Sequence, residues 1–307
     1  LCGREYPYPT DMSGLCGCGT RKTVLHLIHD YSHLKIGKDQ ITKGPPNISR
    51  YEPFLHLHPQ VIRNCWTGCT PLIKSERIAS KLRLRNLYFK DDTVNPSGSF
   101  KDRQISVVIS EALFQNKDTI SVASSGNLAV ACSRMSSKYG IHCYAFVPEY
   151  CSEDKLILMA MFGAKIVKIK GTVDHGYNII DETYKKFGWL PVNTQCRPFM
   201  IEGCKSTGFE IIEQMNWSVP DKIIVPTGSG AHLLGIYRGI KEFQQVGLVE
   251  DNKFPHLIAA EPVACAPFSK AILNGEDEVR PVKAKDTVAG GLVVENPLEG
   301  KVVLKAI

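Results

Sequence analysis

The chain has 307 residues, 43% of them apolar and 22% charged, enough for a well-buried core and for two folding units. Its formal charge of +6 comes from Lys and Arg scattered along the chain, not from a block or stripe, so nucleic acid is not expected as a partner. No run approaches the roughly 20 continuous apolar residues of a bilayer span and no secretory pattern is visible, so neither membrane nor export is expected; the eleven dispersed cysteines read as reduced thiols of a cytoplasmic protein.

Residues 1–45 form a distinct appendage in which Cys2, Cys16 and Cys18 stand among Gly, Pro and Tyr. A zinc site there is the weaker expectation, because Cys16-Gly17-Cys18 is tighter than the usual knuckle spacing; reduced, metal-free cysteines are the stronger one. Pro45, Pro46, Pro53, Pro59 and Pro71 then mark a loop-rich connection, since proline fixes φ and removes an amide donor. Regular structure is expected to resume near Thr70. From there strand and helix patterns alternate: 86–89 and 100–113, 119–123 and 128–139, 142–147 and 154–162, 164–169 and 176–187. Helix 208–214, strand 222–226, helix 231–243 and strand 256–261 complete the series. Such alternation defines βαβ units and a mostly parallel sheet, an α/β fold.

Three segments carry chemistry. Asn95-Pro96-Ser97-Gly98-Ser99-Phe100-Lys101-Asp102-Arg103 is a turn feeding an apolar-periodic helix, with Lys101 in the first turn, where the helix dipole disfavours a cation. That placement suits a lysine held as an imine or as a neutral amine; it is equally compatible with a capped helix start carrying a solvated lysine. Ser124-Ser125-Gly126-Asn127 lies between an apolar strand and a helix, at the carboxyl end of the strand, where open α/β sheets bind ligands. Its hydroxyls, its amide and the free helix N-terminal N–H groups suit a carboxylate, while an N-cap run is the plain alternative. Pro226-Thr227-Gly228-Ser229-Gly230-Ala231-His232 repeats the strand-to-helix context, and its small residues let successive amides approach a phosphate. It lacks the Lys-Ser or Lys-Thr of a nucleotide loop and the spacing of a dinucleotide fingerprint, which points to a smaller phosphorylated ligand or to a tight structural turn. Jointly the segments provide an imine-forming amine, a carboxylate cradle and a phosphate cup, as an enzyme joining pyridoxal phosphate (PLP) to an amino acid requires.

The order Ser-Phe-Lys-Asp-Arg, Ser-Ser-Gly-Asn, Gly-Ser-Gly resembles the fold-type II PLP enzymes, and among them the threonine synthase family. Ile201-Glu202-Gly203, Phe209-Glu210-Ile211, Val219-Pro220-Asp221, Ala289-Gly290-Gly291-Leu292 and Asn296-Pro297 extend the likeness over nearly the whole chain. The resemblance implies two α/β domains: a large PLP-binding one from residues 46–115 and 199–307, and a small one at 116–198, with the cofactor in the cleft. It implies Lys101 as the Schiff-base lysine and general base, Phe100 beside the cofactor ring, and Asn127 at the ring hydroxyl. Gly228, Ser229, Gly230, Ala231 and His232 would surround the cofactor phosphate, and Ser124, Ser125 and Gly126 the substrate carboxylate. Lys155, Arg103 and Lys205 are candidates for a substrate phosphate, each also readable as a solvated surface charge. The implied reaction converts O-phospho-L-homoserine and water to L-threonine and phosphate, in a possible homodimer. A serine or threonine dehydratase, a β-replacement enzyme acting on an activated serine, and a silent PLP-binding relative are the alternatives. Leu128, Gln104 and His232 depart from the family pattern, where threonine, glycine and a smaller or amide residue are usual.

Overall fold

In the computed structural model residues 5, 6, 8, 25–193, 197–250 and 252–307 are described. Cys2, Cys16 and Cys18 lie outside these, and among the described residues no group of three or more His, Cys, Asp or Glu is placed to hold a metal ion. No described helix is long and apolar enough to cross a membrane.

α1 (Lys38–Thr42) lies near the end of the 1–45 segment, and the proline-rich connection holds more structure than its composition suggests: a short 3-10 helix (Ile48–Phe54) and α2 (Pro59–Asn64). Pro59 opens α2 at a position where its missing N–H has no helical partner to lose. β1 (Leu72–Lys74) and β2 (Tyr88–Lys90) pair antiparallel, joined through α3 (Glu76–Lys81). There follow α4 (Lys101–Phe114), β3 (Thr119–Ala123), α5 (Asn127–Tyr139), β4 (His142–Pro148), α6 (Glu153–Met161), β5 (Lys165–Ile169), α7 (Val173–Phe187) and β6 (Leu190–Val192). The last four strands form one parallel sheet in the order β5-β4-β3-β6. Every residue of β3 is buried, as an interior parallel strand covered on both faces by helices requires. β6 escapes the sequence pattern because three residues that include Pro191 show neither alternation nor a β-branched run.

The remaining elements are α8 (Arg197–Gln214), β7 (Lys222–Pro226), α9 (Ala231–Gln245), β8 (His256–Ala260), α10 (Pro267–Leu273) and α11 (Gly300–Leu304). β7 and β8 pair in parallel. The helix expected at 208–214 proves to be more than twice that length, with 18 residues. Its first half is invisible to periodicity because it is covered on several sides: α4 packs on one flank and α9 on another, and Glu202, Lys205, Ser206, Thr207 and Glu210 are buried beside its apolar residues. Two glycines set the spacing. A Cβ on Gly203 would lie 2.0 Å from the Arg103 carbonyl oxygen of α4, and one on Gly235 of α9 would lie 2.2 Å from Cys204 Cβ.

Beneath these helices Phe54, Phe209 and Phe243 form a mutually packed aromatic group, with centroids 4.5–5.3 Å apart, and Tyr51 joins it from the 3-10 helix. Gly203→Ala is expected to destabilise the protein by roughly 1–3 kcal/mol or more through overpacking against α4 backbone. Gly140→Ala, at a helix end with φ +70° but open space around it, is expected to cost only about 1 kcal/mol. Denaturant midpoints of the two variants check the ranking.

Candidate active site

Lys101 is the first residue of α4, and the turn that delivers it is fixed from within. The Gly98 N–H donates to the Asn95 carbonyl at 2.7 Å with Gly98 at φ +77°, a left-handed conformation that favours glycine. The Ser97 N–H donates to Asp102 Oδ2 at 2.6 Å, and the Lys101 N–H to Ser99 Oγ at 3.3 Å. Asp102 and Arg103, the two residues after Lys101, are both fully buried. Arg103 grips Asp92 (NH2 to Oδ1 2.7 Å, Nε to Oδ2 2.9 Å), Glu210 of α8 (NH2 to Oε2 2.8 Å), Thr70 and Ser206. Lys90 adds a second cation to Glu210 at 2.6 Å. Burial works against charge on Asp92 and Glu210, yet the Arg103 guanidinium outweighs it and holds both carboxyls below their ordinary range.

On the other side, the loop after β7 leads into α9. The Thr227 N–H is tied to the Ala260 carbonyl at 2.8 Å, and the Leu234 N–H closes the first turn onto Gly230 O at 2.9 Å. Gly230 lies at φ +87°, and a Cβ there would meet Val303 Cγ2 at 2.5 Å. Among the described residues the backbone N–H groups of Gly228, Ser229, Gly230, His232 and Leu233 have no backbone acceptor, which leaves a cup of donors at a helix N-terminus. His232 Nε2 and Thr207 Oγ1 are 3.1 Å apart, and the imidazole stacks on Phe100 with centroids 4.1 Å apart and planes 6° from parallel. Lys101 Nζ lies 4.5 Å from the Phe100 centroid. The Lys101 turn and the loop that opens α9 are therefore in direct contact.

The third loop follows β3. The Gly126 N–H donates to Ser124 Oγ at 3.2 Å, Cys151 Sγ faces the Ser125 carbonyl at 3.5 Å, and Lys155 Nζ of α6 donates to Asn127 Oδ1 at 2.6 Å. A Cβ on Gly126 would meet nothing nearer than 4.0 Å, so this side of the loop is open. Asn127 and Lys155 are thus paired with each other, and their loop joins the Lys101 helix through α5, where Arg134 stands 3.9 Å from Asp102. Leu128 packs partly buried against the core.

Two of the three candidates for a substrate phosphate are corrected. Arg103 and Lys205 are not solvated charges: both are fully buried, Lys205 between Glu202 at 2.6 Å and Glu242 at 2.8 Å. Ion pairs this complete leave neither group available to a ligand. Sequence reasoning missed the supports Asp92, Thr207 and Cys204. An arginine two residues past the lysine, on a helix flank that must be buried, was the available signal. Gln104 is buried, donating to Cys204 Sγ at 3.2 Å; burial pushes that thiol up to about 11, with Lys101 the largest opposing charge.

An amine at a helix start, an aromatic face beneath it, a cup of unpaired amides and an open glycine loop fit PLP, whose aldehyde, ring and phosphate need these groups. The chain belongs to the pyridoxal-phosphate dependent enzyme family, which it matches over residues 66–307. It is 30% identical to the threonine synthase of Methanosarcina acetivorans over all of this chain and 74% of that protein. It is 29% identical to the threonine synthase of Methanocaldococcus jannaschii over all of this chain and 75% of that one. In fold it is similar to maize serine racemase, with a TM-score of 0.68 at 20% identity over 81% of this chain and 74% of that one. A fungal L-serine ammonia-lyase from Rhizomucor miehei gives 0.66 at 20% identity, over 77% and 72%. The expected α/β fold-type II architecture and PLP as the cofactor hold; the comparisons make the chain a PLP-dependent enzyme.

Burial, the largest influence, takes the His232 imidazole from its ordinary 6.5 down to about 4; Asp92 opposes this, and Arg103 and Lys101 reinforce it. A group with a depressed pKa that is buried neutral binds fewer protons than in the unfolded chain, so between pH 6.5 and 4 stability falls as pH falls. From pH 7 to 5 the wild type is expected to lose about 1–2 kcal/mol more than His232→Phe, which thermal melts at both pH values check.

Proposed function

We propose that the chain catalyses the threonine synthase reaction, in which O-phospho-L-homoserine and water give L-threonine and phosphate, a step of threonine biosynthesis. The observation that carries this reading is the 30% identity along the entire chain to a threonine synthase, where the racemase and ammonia-lyase likenesses stand at 20% and speak for fold alone. The site is consistent with it.

Bound PLP supplies an electron sink for negative charge developing on the substrate carbons. Lys101 holds the cofactor and, once released, moves protons at Cα, Cβ and Cγ from its place over the Phe100 ring. The amides of Gly228, Ser229, Gly230, Ala231 and His232 bind the cofactor phosphate, and Asn127 orients the ring hydroxyl. Ser124, Ser125 and Gly126 take the substrate carboxylate. Lys155, at the mouth of that loop, meets the substrate phosphate. In balance, Cα and Cβ each give up a proton, the Cγ–O bond breaks and phosphate leaves with its electron pair, and Cγ gains a proton. Water delivers hydroxyl to Cβ and gives up its remaining proton, and Cα is reprotonated. Residues 116–198 serve as the small domain and carry Asn127 and Lys155 toward Lys101, held on the large domain of residues 46–115 and 199–307, so that closure excludes water other than the reactant.

Purified protein given O-phospho-L-homoserine, L-serine and L-threonine separately is expected to release phosphate and form threonine from the first, with little ammonia from the other two. Ammonia from serine or threonine without phosphate release would replace this reading with a dehydratase. Lys155→Met is expected to raise KM for phosphohomoserine about 10-fold or more, the loss of one charge-assisted hydrogen bond, while the visible absorbance of the bound cofactor persists.

A further inference from the structure

A phosphate cup is built of main-chain amides, so it does not itself require a histidine at the second helical position of α9. The side chain at 232 is nevertheless bound on two sides. One face of its ring lies flat on Phe100 at 4.1 Å and 6°, and its Nε2 edge meets Thr207 at 3.1 Å. Thr207 is 2% exposed, and its neighbour Ser206 is held by Arg103 NH1 at 3.0 Å. The Phe100 ring also supports Lys101 Nζ, 4.5 Å from its centroid. Imidazole offers both a flat aromatic face for the stack and an in-plane nitrogen for the threonine hydroxyl. The charged groups that face it are Asp92, from the segment before the turn, and Lys101 and Arg103 of α4.

We propose that His232 is a positioning residue for Lys101: its face fixes the Phe100 ring on which the lysine amine rests, and its edge anchors that support to α8 through Thr207. The inference rests on the reading that Lys101 carries the cofactor, and it adds that the amine, when released, has a defined resting place. With the Phe100 ring clamped by imidazole, the amine that rests against it returns to the same point in each turnover.

The test compares His232→Ala, His232→Phe and Thr207→Val with the wild type, after circular dichroism has established folding. In cofactor-free protein, labelling of Lys101 by trinitrobenzenesulfonate, located by mass mapping, is expected to be roughly 2- to 13-fold faster in His232→Ala, the range set by loss of one aromatic pair. His232→Phe, which restores the stack, should return the rate to near that of the wild type, and Thr207→Val should fall between. In the loaded enzyme kcat should fall over the same range while KM for the amino-acid substrate changes less. Unchanged labelling in His232→Ala, or labelling in His232→Phe as fast as in His232→Ala, would overturn the proposal. Should His232→Ala fail to fold, Thr207→Val decides: a labelling rate equal to the wild type overturns it. A wild type that never binds PLP counts against the proposed function, and the labelling still judges the role of His232.

Discussion

Arg103 sets the frame of this molecule. It is a fully buried guanidinium held between Asp92 and Glu210, and through them it joins the segment before the Lys101 turn, helix α4 and helix α8. Removing one partner of such a cluster leaves an uncompensated buried charge, worth on the order of 3–5 kcal/mol, so the three elements hold a single mutual arrangement. Lys101 is two residues away and inherits that rigidity. Asp102 pins the turn on one side through the Ser97 amide, and Arg103 pins the helix on the other.

The same logic recurs one layer away from the site. Lys205 bridges Glu202 and Glu242, His29 meets Glu202 at 2.7 Å, and the Tyr31 hydroxyl donates to Glu242 at 2.8 Å. The segment before α1 is thereby fastened to α8 and α9. With Gly203 and Gly235 allowing close backbone approach, α8 becomes a buried strut between α4, which begins with Lys101, and α9, which begins after the Gly228 loop. Lys101 and the Gly228 loop, supplied by different helices, stay in register because both helices lean on this strut.

Much of the parallel core was legible in the sequence. β3 and β7 fall at the expected residues because apolar runs bounded by turn chemistry leave little choice of strand, and the Lys101, Ser124 and Gly228 loops stand at helix starts as read. The first half of α8 was not legible, since a helix buried on several faces loses its amphipathic period and its charges read as surface. For the same reason Arg103 and Lys205 passed as solvated residues: only tertiary packing reveals the carboxylates that neutralise them. The stack of His232 on Phe100 joins residues more than a hundred positions apart, a contact that no local pattern encodes.

The central claim is that Lys101 is the residue that carries PLP. Purified protein saturated with PLP, reduced with borohydride and digested, should yield a cofactor-derived mass increment on the peptide that contains Lys101 and on no other lysine peptide. No increment after saturation, or an increment that maps to another lysine, would contradict the account.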